Sequence, residues 1–302
     1  LDKAIANYEG SVYIIHGMQD WNVDPHMAFP THNIMVEAGF DTKGLYGQWG
    51  HDYPDRNESH SGLNSGRGGE AYPFTVRWDW ADDLLEWFDF YLYNKGPQPA
   101  LHAEIQDNMG GWRVEGQYPP LDVEWLEFGL DQFEVVSGGT FVTSTSQLVI
   151  SSSQFENETR IIGTPTLHID ATTSVLPVPG ISGHIGVEMV LASSGIHLGH
   201  AVMDLRFHAG GKDGDVLGPG QTVNAKMEFF GMDVVIPAGD SIQLIITQTI
   251  EDYIPSTVSL TPITVDLSAS SVLSLSVVQR DCSDLFTPPM LQPYPQCSLA
   301  ES

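Results

Sequence analysis

The chain has 302 residues, 41% of them hydrophobic and 10% aromatic, which is enough apolar material for the cores of two domains. Its 39 acidic and 12 basic residues give a net charge of −27, which leaves few cations to displace counterions from phosphates and argues against nucleic acid or an anionic membrane surface as a partner. No run of 18 apolar residues occurs, so no transmembrane helix is expected; the start lacks both an initiator Met and a charged-then-apolar leader, as expected of a processed or cleaved chain.

Residues 1–10 read as the tail of a helix or loop, with further material expected ahead of them. Val12, Tyr13, Ile14 and Ile15 then form a short run of β-formers stopped by Gly17, the pattern of a strand buried on both faces. Asp24-Pro25 supplies an N-cap and a proline at the first helical position, and Gly39 supplies the stop. Lys43 to Gln48 gives a second strand. This is one right-handed βαβ unit, and because its strands run parallel both end at the same edge of the sheet. Asp20 and His51 each lie just past a strand end, so the topology sets a carboxylate beside an imidazole.

An acid next to a histidine is two thirds of a nucleophile–base–orienter system: the imidazole takes the nucleophile's proton while the carboxylate fixes its tautomer. In α/β-hydrolases the chain order is nucleophile, acid, histidine. With the acid at position 20, the serine is expected upstream of Leu1. No G-x-S-x-G elbow occurs; Gly62 to Gly66 has its serine one place late, and Gly180 to Gly183 lacks the final glycine.

Other polar residues along the chain carry weaker signals. His16, Trp21 and Trp49 flank the two site residues and read as packing. His26 and His32, six apart, fall on different helix faces and do not match a zinc helix. His60 is the rival for His51, but it sits in the Gly/Ser-rich loop ESHSGLNSGRGGEAYP and reads as surface. Trp78 to Lys95 is a strong helix whose Trp80, Leu84, Trp87, Phe88, Tyr91 and Leu92 form an apolar stripe expected to pack on the sheet.

From Leu101 the pattern changes to short alternating runs separated by turn residues, among them Ala103 to Gln106, Val123 to Phe128, Thr166 to Thr172, Gly186 to Ala192, Gly199 to Phe207 and Thr222 to Phe230. Many short strands at regular spacing mean a sandwich or jelly roll. The boundary is placed near Pro97 to Leu101, giving 1–100 as an α/β part and 101–302 as a β-sandwich, with a stretch to about Gly139 expected to pack on the first part. Asp213 and Asp215 lie in a loop that reads as a solvated turn rather than a calcium site. Two histidines between Leu191 and His200 read as turn surface. Cys282 and Cys297 form either a disulfide that staples the Pro-rich tail or two free thiols. Asn57-Glu58-Ser59 and Asn157-Glu158-Thr159 are acceptor sequons. Together with the acidity, these features lean towards an extracellular or cell-surface protein.

The segments HGMQDWNV, LYGQWGHDYP and WADDLLEWFDFYLYNKG, in this order and followed by a β-rich tail, resemble the peptidase S15 family of X-Pro dipeptidyl-peptidases, cocaine esterase and acylase-type hydrolases. The resemblance covers nearly the whole chain but only the C-terminal part of a member. It implies the C-terminal part of an α/β-hydrolase domain followed by a β jelly-roll (galactose-binding-like) domain. It also implies a Ser-Asp-His triad in which Asp20 is the acid and His51 the base, with no cofactor and no metal. The departures are the missing serine elbow, cap helices and oxyanion-hole strand. The expected partners are an upstream segment or separate chain carrying the serine and a peptide or ester substrate, with a homo-oligomer as a further option. The alternative is a non-catalytic carbohydrate- or partner-binding secreted protein built on a hydrolase remnant; a purely structural subunit is disfavoured because it would need neither Asp20 nor His51.

Overall fold

The computed structural model describes residues 5–20, 22–51, 53–55, 76–143, 145–173, 183–250, 262–281 and 284–286. His60, Trp21, Asn57, Cys282, Cys297, the Gly62 to Gly66 segment and Ser182 lie outside them.

The chain divides into two units. The first takes in the described residues of Leu1–Val123, Asp233–Val235 and Gln279–Ser302. Its sheet has the order β1 (Val12–Gly17), β2 (Thr42–Gly47), β3 (Ala103–Gln106), β4 (Trp112–Glu115) and β18 (Leu285–Phe286). β1 pairs parallel with β2 from Val12 opposite Thr42 to Gly17 opposite Gly47, and β2 pairs parallel with β3. Helix α1 (Pro25–Glu37) makes the crossover between β1 and β2. Asp24 takes its N-cap position without a side-chain cap hydrogen bond, and beyond its end Gly39 adopts φ +84°, the left-handed turn that favours glycine.

Alternation along β2 sends neighbours to opposite faces. Tyr46 packs with Phe29 of α1, Met18 and Tyr118 on one side; Leu45 packs with Trp49, Trp112 and the partly buried Trp80 on the other. Phe29 meets Tyr46 and Tyr118 edge-on at 5.1 and 4.7 Å, the arrangement aromatic quadrupoles favour. Helix α2 (Trp80–Tyr93) is fastened to the sheet by ions as well as by rings. Asp83, in its first turn, accepts from Lys43 and from the Tyr13 hydroxyl, while Trp87 packs on Tyr13. Its expected apolar stripe is only partly covered. Trp87 is buried, but Phe88 and Leu92 are exposed, because helical periodicity announces an apolar face without supplying something to cover it.

A buried ion cluster closes the far side of this sheet. Arg113, with no exposed surface, donates to Glu115 and to both oxygens of Asp233. Arg280 donates to Glu115 and Asp122.

The second unit comprises Glu124–Met232 and Ile236–Val278. It is an all-β domain of two antiparallel sheets. One runs β12 (His197–Asp204), β11 (His184–Leu191), β15 (Ile242–Thr247), β8 (Leu148–Ser151), β6 (Glu134–Ser137). The other contains β9 (Thr159–Gly163), β17 (Val272–Val278), β10 (Thr166–Thr173), β16 (Ile263–Asp266) and β7 (Phe141–Val142) in order, with β13 (Thr222–Glu228) on β10 and β5 (Glu124–Gly129) on β17. Burial alternates strictly along β10 and β13, so that Leu167, Ile169 and Ala171 enter the core with Val223, Ala225 and Met227. Each such aliphatic or thioether side chain larger than alanine contributes about 1.5–3 kcal/mol on burial.

The unit boundary falls at Val123 and not near residue 100. Residues 103–106, in the stretch expected to pack on the first part, form β3, which extends the parallel sheet of the first unit. That stretch ends at Val123 rather than near Gly139, because residues 124–129 pair antiparallel with β17 in the second unit.

Candidate active site

The ends of β1 and β2 are held together by backbone hydrogen bonds, Met18 N–H to Gly47 O at 2.8 Å and Gln19 N–H to Trp49 O at 3.1 Å. This approach requires glycine at position 17. A Cβ there would sit 2.3 Å from the Trp49 carbonyl oxygen and 2.6 Å from that of Gly50. The second loop is tied down from its other side. Gln48, fully buried, donates its backbone N–H to Gln106 Oε1 at 3.1 Å and its side-chain amide to the Gln106 and Asp233 backbone carbonyls at 2.8 and 3.0 Å.

Between these tethers His51 Nδ1 lies 2.9 Å from Asp20 Oδ2. The other carboxylate oxygen, Oδ1, accepts from the backbone N–H groups of Asn22 and Val23, each at 2.9 Å. Asp20 is thus a buried acid, 7% exposed, whose orientation is fixed at both oxygens, while the His51 side chain is 51% exposed. A carboxylate accepts at Nδ1 only if that nitrogen carries the hydrogen. The far ring nitrogen, Nε2, is then the one free to take a proton. The pair borders a hollow of about 410 Å³ lined also by His16, Val23, Trp49 and Tyr53. The arrangement is that of a general base with its orienting acid.

The remaining polar residues singled out by sequence fall elsewhere. Trp49 is buried against Trp112, which is packing as expected. His32 is fully buried beside Tyr46, and burial pushes its pKa below the usual histidine value. His16 donates from Nε2 to the Val23 carbonyl at 2.9 Å, a contact that no sequence signal announces. His197 and His200 are not turn surface. Both are buried in β12, which begins at His197, with the His200 ring edge-on to Phe230 at 4.5 Å. Asp213 and Asp215 are exposed in the loop before β13, and Asp215 lies 3.9 Å from His208. Asn157 is exposed between β8 and β9. Gln48 and Gln106 are the positioning residues that the sequence does not announce, since a lone glutamine just past a strand or at its last residue carries no spacing or motif.

Residues 94–281 match the family model for the X-Pro dipeptidyl-peptidase C-terminal non-catalytic domain, a range that leaves out Asp20 and His51. No curated protein matches the sequence. Among solved structures, the aminopeptidase of the marine sediment archaeon Thaumarchaeota archaeon is similar with a TM-score of 0.67 and 11% identity, over 92% of this chain and 57% of its own. A CocE/NonD family hydrolase from Staphylococcus aureus gives 0.61 and 10%, over 89% and 54%. An α-amino acid ester hydrolase gives 0.58 and 14%, over 94% and 57%. At these identities the likeness establishes fold, and the chain spans a little over half the length of each of these proteins.

Proposed function

The chain belongs to the family of X-Pro dipeptidyl-peptidase C-terminal domains and is a C-terminal part of an S15-type hydrolase, and from that membership we propose that Asp20 and His51 are the acid and base of a Ser-Asp-His triad whose serine lies on an upstream segment or a separate chain. The observation that supports this reading is the 2.9 Å contact between Asp20 Oδ2 and His51 Nδ1 at the shared edge of two parallel strands. His51 Nε2 takes the serine hydroxyl proton as the serine oxygen bonds to an ester or amide carbonyl carbon. The tetrahedral adduct collapses with loss of the alcohol or amine, which leaves with that proton. Water then attacks the acyl-enzyme, giving its proton to His51, which passes it to the serine oxygen as the acyl–oxygen bond breaks and the acid is released. Asp20 stays ionised throughout and steadies the imidazolium.

The substrate is a peptide or ester, the X-Pro dipeptidyl class being the one the family name suggests. The test is hydrolysis by the complete assembly. His51→Ala is expected to lower kcat by about 10⁴-fold, the scale of triad removal, and His60→Ala to leave it within a few-fold. Reversal of the two effects would reassign the base.

A second reading is a non-catalytic partner- or carbohydrate-binding protein, favoured by the matched range being a domain described as non-catalytic. Under it, reconstitution with a serine-bearing segment yields no turnover. The acidity of the chain fits an extracellular or cell-surface location, which labelling of intact cells with an impermeant amine reagent would detect.

A further inference from the structure

The Asp20 loop is closed by a side chain that the triad does not use. Asp20 Oδ1 holds the Val23 N–H, and His16, in β1 immediately before Gly17, reaches over the same loop to the Val23 carbonyl. Val23 is therefore gripped at both of its backbone groups, by the acid on one side and by His16 on the other. The carbonyl is an acceptor only, so His16 Nε2 carries the hydrogen and is committed to it. Resting on the reading of Asp20 and His51 as acid and base, we infer that His16 is a positioning residue: it clamps the loop from Gly17 to Val23 so that Asp20 presents Oδ2 to His51 Nδ1.

Two further observations separate this role from that of a second base. Among the described residues no carboxylate is hydrogen-bonded to the His16 ring, whereas Asp20 is bonded to that of His51. Burial pushes the His16 pKa below the usual histidine value; Asp20 and the bond to Val23 pull it back up, and His51 pushes it down again. His16 is thus neutral at pH 7 and does not compete as a cation for the Asp20 carboxylate. Loss of the clamp frees the Val23–Asp24 peptide and loosens the loop at Val23. The Val23 N–H, in the preceding peptide, can then shift away from Asp20 Oδ1, letting the carboxylate swing away from the imidazole. Partners that orient a reacting group in this way are worth about 10–100-fold in activity where they have been removed in metal sites, and we take that as the scale here.

The experiment reads the hydrogen-bonded Nδ1–H of His51 as a low-field proton resonance in this chain, with ¹⁵N-labelled histidine. His51→Ala locates the signal, and Asp20→Asn is expected to abolish or displace it. His16→Ala should broaden it away by admitting exchange with water. His16→Gln, whose amide nitrogen falls close to the position of Nε2, should keep it, and His16→Asn, one bond shorter, should not. Circular dichroism establishes that each variant is folded; if His16→Ala is not, the Gln and Asn pair carries the comparison. In the complete assembly His16→Ala should lower kcat by about 10–100-fold with KM unchanged, and His16→Gln should restore it to within a few-fold without moving the pH profile. A resonance unchanged in His16→Ala or His16→Asn, or lost in His16→Gln, overturns the clamp. A resonance unchanged in Asp20→Asn overturns the acid–base reading instead.

Discussion

Replacing Gly17 by alanine tests whether close approach of the two strand ends builds the site. The new Cβ would fall 2.3 Å from Trp49 O, 2.6 Å from Gly50 O and 2.6 Å from the Trp49 ring, against 3.4 Å or more for ordinary contact. Two of these atoms are backbone, and the Trp49 ring is locked against Trp112, so no flexible side chain can yield. The strand ends must therefore part by about 1 Å. That displacement strains the bonds from Met18 N–H and Gln19 N–H, worth about 1 kcal/mol each, and adds an overpacking cost of about 1–3 kcal/mol. The expected loss in urea unfolding is about 2–4 kcal/mol, together with loss of the Asp20–His51 Nδ1–H resonance. Gly39→Ala is the control. It meets nothing within 4 Å, so only its φ of +84° is penalised, at about 1–2 kcal/mol, and the resonance should persist. A Gly17→Ala protein with the native unfolding midpoint and an unchanged resonance would refute the argument.

Gln48→Leu should cost about 1–3 kcal/mol in urea unfolding by removing the amide donor from the buried Gln106 and Asp233 carbonyls. Arg113→Met should cost about 3–5 kcal/mol because it removes both guanidinium donors from the fully buried Asp233; a smaller loss in the double variant with Asp233→Leu would show that the pair is mutually dependent. Glu104 titrates near pH 2: burial disfavours its charge, but His102, Arg77 and Lys43 more than offset that. A depressed folded pKa contributes stability above the unfolded value of 4.5 that is lost as pH falls towards about 2. Native protein should therefore lose stability across that window, and Glu104→Gln should be less stable at pH 7 but flatter through it.

The Asp–His juxtaposition was legible because parallel pairing is a topological constraint: once Val12 to Ile15 and Lys43 to Gln48 are strands joined by a helix, their exits must meet. Capping chemistry placed α1, with Pro25 at its start and Gly39 past its end. Among the strands that the sequence does not announce, β9 and β14 (Met232–Ile236) are buried at every position and so have no alternation to detect, whereas β4, β6, β16 and β18 are only two to four residues long. A four-residue strand such as β3 carries no mark of its partner, so its place as a strand of the parallel sheet rests on its pairing with β2. His197 reads as turn because the strand begins two residues before the Gly199 start that the sequence suggests, and His200 because burial runs unbroken from His197 to Ala201 instead of alternating. The Gln48–Gln106 tether and the His16–Val23 contact depend on residues 58 and 7 positions apart that meet only through the fold.

The central claim is that His51, oriented by Asp20, activates a serine supplied from outside these residues. Its most direct measurement is the rate at which a fluorophosphonate probe labels the serine of the complete assembly, native against His51→Ala. The account predicts a labelled serine and a rate lowered by about 10³–10⁴-fold in the variant. Absence of any labelled serine, or equal rates in the two proteins, would contradict it.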